Sequence, residues 1–202
     1  MDDLVKATES HVRSIFEGEG SGHDWWHIDR VRKLALTIAK TEKADPVIVE
    51  LGALLHDIAD HKFHGGDHDI GHKTARAWLE KVEADAHIIE QVCYIVQNIS
   101  YSGGRAMESV EGKIVQDADR LDALGAIGIA RCFAYGGHSG RELYNPESKT
   151  TEKSPSINHF YEKLLLLKDR MNTKTGKKMA EARHAFIELY LDEFYKEWEG
   201  EK

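Results

Sequence analysis

"PVIVELGALLHDIADHKF", residues 46–63, begins as an almost wholly apolar run and then sets a histidine and an aspartate side by side. Asp45 before Pro46 has the form of an N-cap followed by proline at the first helical position, so a helix starts there. A helix that is apolar nearly all round belongs in the middle of a core. The chargeable pair His56-Asp57 falls at its C-terminal end, where such groups are costly to bury unless each has a partner. Either that end is wet or a cation sits there, and the rest of the chain must supply the other donors.

The surrounding sequence reads as helix almost throughout. There are only three prolines, apolar residues recur at i, i+3, i+4 spacing, and strand signals are nearly absent. After a short N-terminal helix, "SGHDWWHIDRVRKLALTIAKTE" carries Ile28, Val31, Ala35 and Ile38 along one face, with Ser21 or Asp24 available as its cap. The loop "HGGDHDIGH" leads to helices over about Ile70–Val82 and Asp85–Ile99. From about Val110 one long helix is predicted through "KIVQDADRLDALGAIGIARCFAYGG", rich in small residues for close packing and ending at Gly136-Gly137. Residues 138–155 read as a mobile polar loop, and two further helices, about 156–172 and 176–198, follow. The expectation is an all-α chain in one domain, 1–202, with a core over about 20–135 and C-terminal helices over about 156–198.

Composition narrows the partners. A net charge of -8 and a pI near 5.8 disfavour a dedicated nucleic-acid or membrane-surface binder. Cys93 and Cys132 are far apart and lack metal-type spacing, which suits a reducing compartment. No secretory leader pattern and no apolar run near the ~18 residues of a membrane span is present, so a cytoplasmic location is expected, with a monomer or homodimer as the assembly. Twelve histidines is an unusual count, and several fall within residues 23–72.

Three helices place metal-type ligands among apolar residues: His27, the pair His56-Asp57, and an aspartate of "QDADRLDAL", which offers Asp117, Asp119 and Asp122. Helical periodicity does not choose among the three, since each has apolar neighbours one turn away. Any one of these residues alone reads most simply as a buried polar group with a hydrogen-bond partner. Together they form a mixed N and O donor set for a divalent cation.

The ordered pattern of H, then HD, then D, with "HDWWHIDRV", "LLHDIADHKF", "QDADRLDALGAIGIAR", "NHFYEKLLLLKDRMNT" and "KKMAEARHAF", resembles small bacterial members of the HD-domain metal-dependent phosphohydrolase superfamily over about residues 20–198. The resemblance implies a helical HD fold with one ion held by His27, His56, Asp57 and Asp119. Asp119 is selected because the family's ligand aspartate commonly follows Ala and precedes a residue-then-Leu step, as in Ala118-Asp119-Arg120-Leu121. Asp122 then becomes an orienter of a ligand or of Arg120, and Asp117 a surface or supporting carboxylate. Two imidazoles and two carboxylates suit Mn²⁺ first, then Fe²⁺, Co²⁺ or Ni²⁺, with Mg²⁺ less suited because it prefers oxygen.

The implied chemistry is hydrolysis of a small phosphorylated metabolite by a metal-bound hydroxide. The substrate implied is a nucleoside triphosphate, cleaved to monophosphate and pyrophosphate. A nucleoside monophosphate phosphatase and a non-enzymatic metal-containing regulatory module are the alternatives. Asp60, one turn beyond Asp57, is the candidate proton acceptor, against a capping role. Lys62, Arg30, Arg120, His138 and Arg141 are candidates for phosphate contact, each weighed against an ordinary surface or pairing role. His61, His64, His68 and Asp67 would serve a second ion, although one ion is the expectation; His23-Asp24 reads as a cap. Trp25-Trp26 reads as packing, with base stacking as the alternative.

Overall fold

The computed structural model describes residues 2–18, 24–59, 70–99, 106–147 and 154–201. Among them the regular structure is helical: α1 (Asp2–Phe16), α2 (Trp25–Ala39), α3 (Pro46–Leu55), α4 (Ile70–Lys81), α5 (Ala86–Asn98), α6 (Val110–Asp122), α7 (Gly125–His138), α8 (Asn158–Glu162) and α9 (Lys174–Trp198), with two 3₁₀ turns between α8 and α9. No described helix is long and apolar enough to cross a membrane. The residues gather into two compact units, 1–118 and 119–202, and the division falls inside α6 rather than in a linker.

In the first unit α3 is central, packed on α1, α2 and α5. The Asp45 carboxylate accepts from the backbone N–H groups of Val47 and Ile48, so the cap and the proline start the helix as the sequence predicts. Leu51, Ala53, Leu54 and Leu55 are fully enclosed, and each large apolar side chain buried in this way contributes about 1.5–3 kcal/mol. Gly52 allows α5 to approach closely, since a Cβ there would meet Ile95 Cδ1 at 3.1 Å, a tight contact. α4 packs on α5, whose cap is Asp85.

The second unit departs from the sequence reading at two points. The single long helix expected from Val110 is two helices, because Leu124 is extended and Gly125 takes φ +72°, a conformation costly for any residue with a Cβ. The expected helix over 156–172 is instead α8 followed by 3₁₀ turns at Leu164–Leu166 and Lys168–Arg170. Lys163 leaves helical geometry (φ -140°, ψ -57°), and three residues per turn then bring Leu164 and Leu167 to one face, where both are buried.

Residues 139–147, expected to be mobile, are tied down. Ser156 N–H donates to Glu142 O, Ile157 N–H to Leu143 O and Arg141 N–H to Gly136 O. Tyr144 packs edge-on against Phe194, Tyr195 and Trp198 of α9, which also packs on α7. Residues 148–153 of that stretch lie outside the described ones.

Between α1 and α4, His11 stacks on Trp78 with ring centroids 3.7 Å apart and planes 9° from parallel, while Trp78 Nε1 donates to Thr8 Oγ1. Burial and the nearby Lys81 ammonium both hold the His11 pKa below its ordinary 6.5. A depressed folded-state pKa stabilises the neutral imidazole, so its contribution is fully present above pH 6.5 and lost as pH falls through the lower folded value. Urea unfolding is therefore expected to show wild type gaining stability over His11→Gln as pH rises from about 5 to about 8; a pH-independent difference between the two would remove His11 from that role.

Candidate metal centre

Each candidate ligand is delivered by its own local device. The Asp24 carboxylate caps α2 by accepting from the backbone N–H of His27 at 2.8 Å, a bond of a kind that contributes about 1 kcal/mol. The residue that starts the helix therefore also fixes the backbone of the histidine, which is only 1% exposed. Of the neighbouring tryptophans, Trp25 is buried beneath the Arg13 guanidinium and Trp26 is 58% exposed, so packing accounts for the first alone.

His56 occupies the C-cap of α3 with helical dihedrals, φ -57° and ψ -33°. Its Nδ1 lies 2.8 Å from the carbonyl oxygen of Ala53. A carbonyl can only accept, so Nδ1 carries the proton and Nε2 keeps its lone pair. That Nε2 faces Nε2 of His27 at 3.2 Å, with the ring planes at 68°. Asp57 Oδ2 is 3.4 Å from the first imidazole nitrogen and 3.5 Å from the second. Asp119, on the last turns of the continuous helix α6, completes the group: one donor atom each from His27, His56 and Asp119 lie within 4.8 Å of one another.

These donors fit a divalent metal. Two metal–ligand bonds of about 2.1 Å meeting at about 90–100° separate their donor atoms by about 3.0–3.2 Å, so the imidazole pair already has the spacing one ion needs. The carbonyl behind His56 is the outer partner that metal-bound histidines characteristically have, holding tautomer and ring orientation together.

The other two carboxylates of α6 have different surroundings. Asp117, read as surface or supporting, is wholly buried at 0% exposure, which rules out the surface placement. Asp122 is equally enclosed and accepts from Arg131 Nη1 at 2.8 Å. That partner lies on α7, beyond the helix break, where a reading of one continuous helix could not find it.

Of the phosphate-contact candidates, Arg30 is half-buried on α2 one turn after His27. In the second unit, Arg120 donates to the carbonyl of Arg170, His138 is exposed at the end of α7, and the Arg141 guanidinium lies 5.7 Å from the centroid of the Tyr135 ring. Asp60, His61, Lys62, His64, Asp67 and His68 lie outside the described residues, as do Ser21 and His23. The carbonyl of Ala53 left no trace in the sequence, since backbone acceptors carry no residue signature. The Asp24 cap was legible from its position.

The HD-domain family model matches residues 25–124, a span that contains all four candidate ligands. An HD-superfamily hydrolase from Bacillus thuringiensis, solved by crystallography, is 45% identical, with 98% of each chain covered and a TM-score of 0.81. The chain belongs to the HD-domain phosphohydrolase superfamily. An uncharacterised Bacillus subtilis protein, YpgQ, is 41% identical over 99% of this chain and 97% of its own. A crystal structure of YpgQ in complex with ADP aligns at 35% identity over 96% of this chain and 97% of that one, with a TM-score of 0.78. As an HD-superfamily member this chain is an enzyme, a metal-dependent phosphohydrolase, which sets aside the alternative of a non-enzymatic module.

Alanine at His27, His56 or Asp119 is expected to weaken binding of a divalent transition ion by at least the 10–100-fold typical of lost supporting contacts, measured by titration calorimetry on chelator-stripped protein. Asp122→Ala is expected to keep the ion and to lower the melting temperature, because it breaks a buried pair with Arg131. Wild-type affinity in both histidine variants would move the ion elsewhere.

Proposed function

We propose that the enzyme cleaves nucleoside triphosphates to the monophosphate and pyrophosphate, with one Mn²⁺ held by His27, His56, Asp57 and Asp119. The convergence of two imidazole nitrogens and a carboxylate on one volume supports the metal assignment. The nucleotide assignment is carried by one observation, the ADP bound to YpgQ in a chain that aligns with this one almost end to end. Two imidazoles with carboxylates favour Mn²⁺ over Mg²⁺, which prefers oxygen donors.

When bound, such an ion supplies Lewis acidity, acidifying water and offsetting charge on a phosphoryl oxygen. The chain's own groups then have separate tasks. Ala53 O accepts from His56 Nδ1–H and so favours the neutral tautomer whose lone pair is on Nε2. Asp60 accepts the proton of the attacking water. The water oxygen bonds to the α-phosphorus, the bond from that phosphorus to the bridging oxygen breaks, and pyrophosphate leaves with the bonding pair. Lys62 and Arg30 offset the phosphate charge, and Arg120, His138 and Arg141 are the further candidates for that task.

The single-domain organisation read from the sequence stands as a proposal of the same kind, because the two units meet inside a helix rather than at a linker. One calorimetric unfolding transition would support it, and two resolved transitions would overturn it.

A panel of nucleoside tri-, di- and monophosphates with Mn²⁺ tests the reaction. Pyrophosphate and monophosphate from a triphosphate, with no free phosphate until a pyrophosphatase is added, are the expected products. Phosphate released directly from monophosphates would favour the phosphatase reading instead. Asp60→Asn is expected to lower kcat by about 10²-fold or more with Mn²⁺ content unchanged, the scale of a lost general base; unchanged turnover per bound ion would take Asp60 out of the reaction.

A further inference from the structure

We propose that Arg32 is a positioning residue for the imidazole pair: its fork to Glu50 and Glu9 sets the axial register of α2 on α3 that brings His27 and His56 to 3.2 Å. The inference rests on those two histidines being ligands and assigns the device that spaces them.

The geometry is that of two cross-links on one helix pair, the ion pair at mid-helix and the imidazoles about one and a half turns away. Going from His27 to Arg32 advances five residues along α2, about 7.5 Å. Going from Glu50 to His56 advances six residues along α3 and its helical C-cap, about 9 Å. Arg32 meets Glu50 while His27 meets His56, so the helices run antiparallel and the two contacts are matched in spacing. Fixing one contact constrains the other. A slip by the rise of a single residue, about 1.5 Å, would move the imidazole nitrogens out of the separation a single ion needs.

Apolar packing does not supply that constraint alone. Ile28, Val31, Ala35 and Ile38 of α2 and the leucines of α3 are buried, but apolar burial is non-directional and tolerates small axial shifts. The Arg32 contacts are directional. Nε and Nη2 converge on Glu50 Oε1 at 2.7 and 2.6 Å, and Nη1 reaches Glu9 Oε2 at 2.9 Å. One planar group thereby joins α1, α2 and α3, three helices that pack on one another. The Arg32 and Glu50 side chains are 19% and 17% exposed, so solvent competes weakly for the fork.

Arg32→Met, Arg32→Lys and Glu50→Gln, with Leu191→Ala of α9 as a destabilised control, separate register from stability. Three quantities are read: Mn²⁺ affinity by titration calorimetry, imidazole ¹⁵N signals of the ion-free protein, and the melting temperature. Arg32→Met is expected to weaken Mn²⁺ binding by about 10-fold or more and to shift the His27 and His56 ring signals before any ion is added. Arg32→Lys should recover part of both losses, and Glu50→Gln should show a smaller loss of the same sign. Leu191→Ala should melt earlier with affinity and ring signals unchanged.

Wild-type affinity and ring signals in the Arg32 and Glu50 variants would overturn the proposal and leave an ordinary stabilising ion pair. If Arg32→Met does not fold, Arg32→Lys and Glu50→Gln decide the matter by the same two readouts. His56→Ala in the same titration keeps the two readings apart: retention of the ion there defeats the metal centre itself, whereas loss there with intact Arg32 variants defeats only the positioning role.

Discussion

Two imidazole nitrogens on separate helices, held 3.2 Å apart inside an apolar core, are the constraint around which the first unit is built. Buried polar atoms at that separation are tolerated only with defined partners. Asp24 fixes the backbone at His27, Ala53 fixes the ring of His56, and Asp57 flanks both nitrogens. The central helix can carry such a load because the rest of it is enclosed by α1, α2 and α5, with Gly52 letting α5 approach to contact.

The location of His56 at a helix end follows from backbone chemistry. The last carbonyls of any α-helix have no N–H within the helix to accept from. Ala53 O is one of these in α3, and the Nδ1–H of His56 satisfies it. One hydrogen bond therefore closes the helix and selects the tautomer that leaves Nε2 available. A histidine in the middle of the helix would find that carbonyl already taken and would need a separate side chain to orient it. The paired cap at Asp24 is the N-terminal counterpart, so the two candidate ligand histidines sit where the helices had unsatisfied backbone groups in any case.

The first unit was largely legible in the sequence because its signals are local. Asp45-Pro46 and Asp24 cap helices where their side chains predict, and the apolar period fixes which face of α2 is buried. Chemically distinctive residue types made the ligands visible as candidates, and resemblance chose among the aspartates of α6. What escaped depended on backbone conformation or on distance along the chain. Gly125 inside a helical run can pack closely or break the helix, and only its positive φ decides. The leucines at 164–167 suit an α-helix by composition yet satisfy burial better at three residues per turn. Arg32 and Glu50 are eighteen positions apart and become a pair only once the register of α2 on α3 is known.

Charge connects the donor set to the proposed substrate. A chain of net charge -8 repels a polyphosphate at long range, but screening confines that effect to about 8 Å at physiological ionic strength. What a phosphate meets at close quarters is decisive, and there the two positive charges of the proposed ion would stand against the negative charges of Asp57 and Asp119. The proposed ion with its donors would thus be close to neutral overall. It can polarise one phosphoryl oxygen, but it leaves the remaining charge of a triphosphate unbalanced. That charge must be offset by cationic side chains outside the ligand set, and two described basic residues lie near it in sequence: Arg30, one turn beyond His27 on the same helix, and Arg120, next to Asp119. The proposed ligands would therefore account for where a phosphoryl group reacts, while preference among phosphorylated substrates must come from side chains that hold no metal.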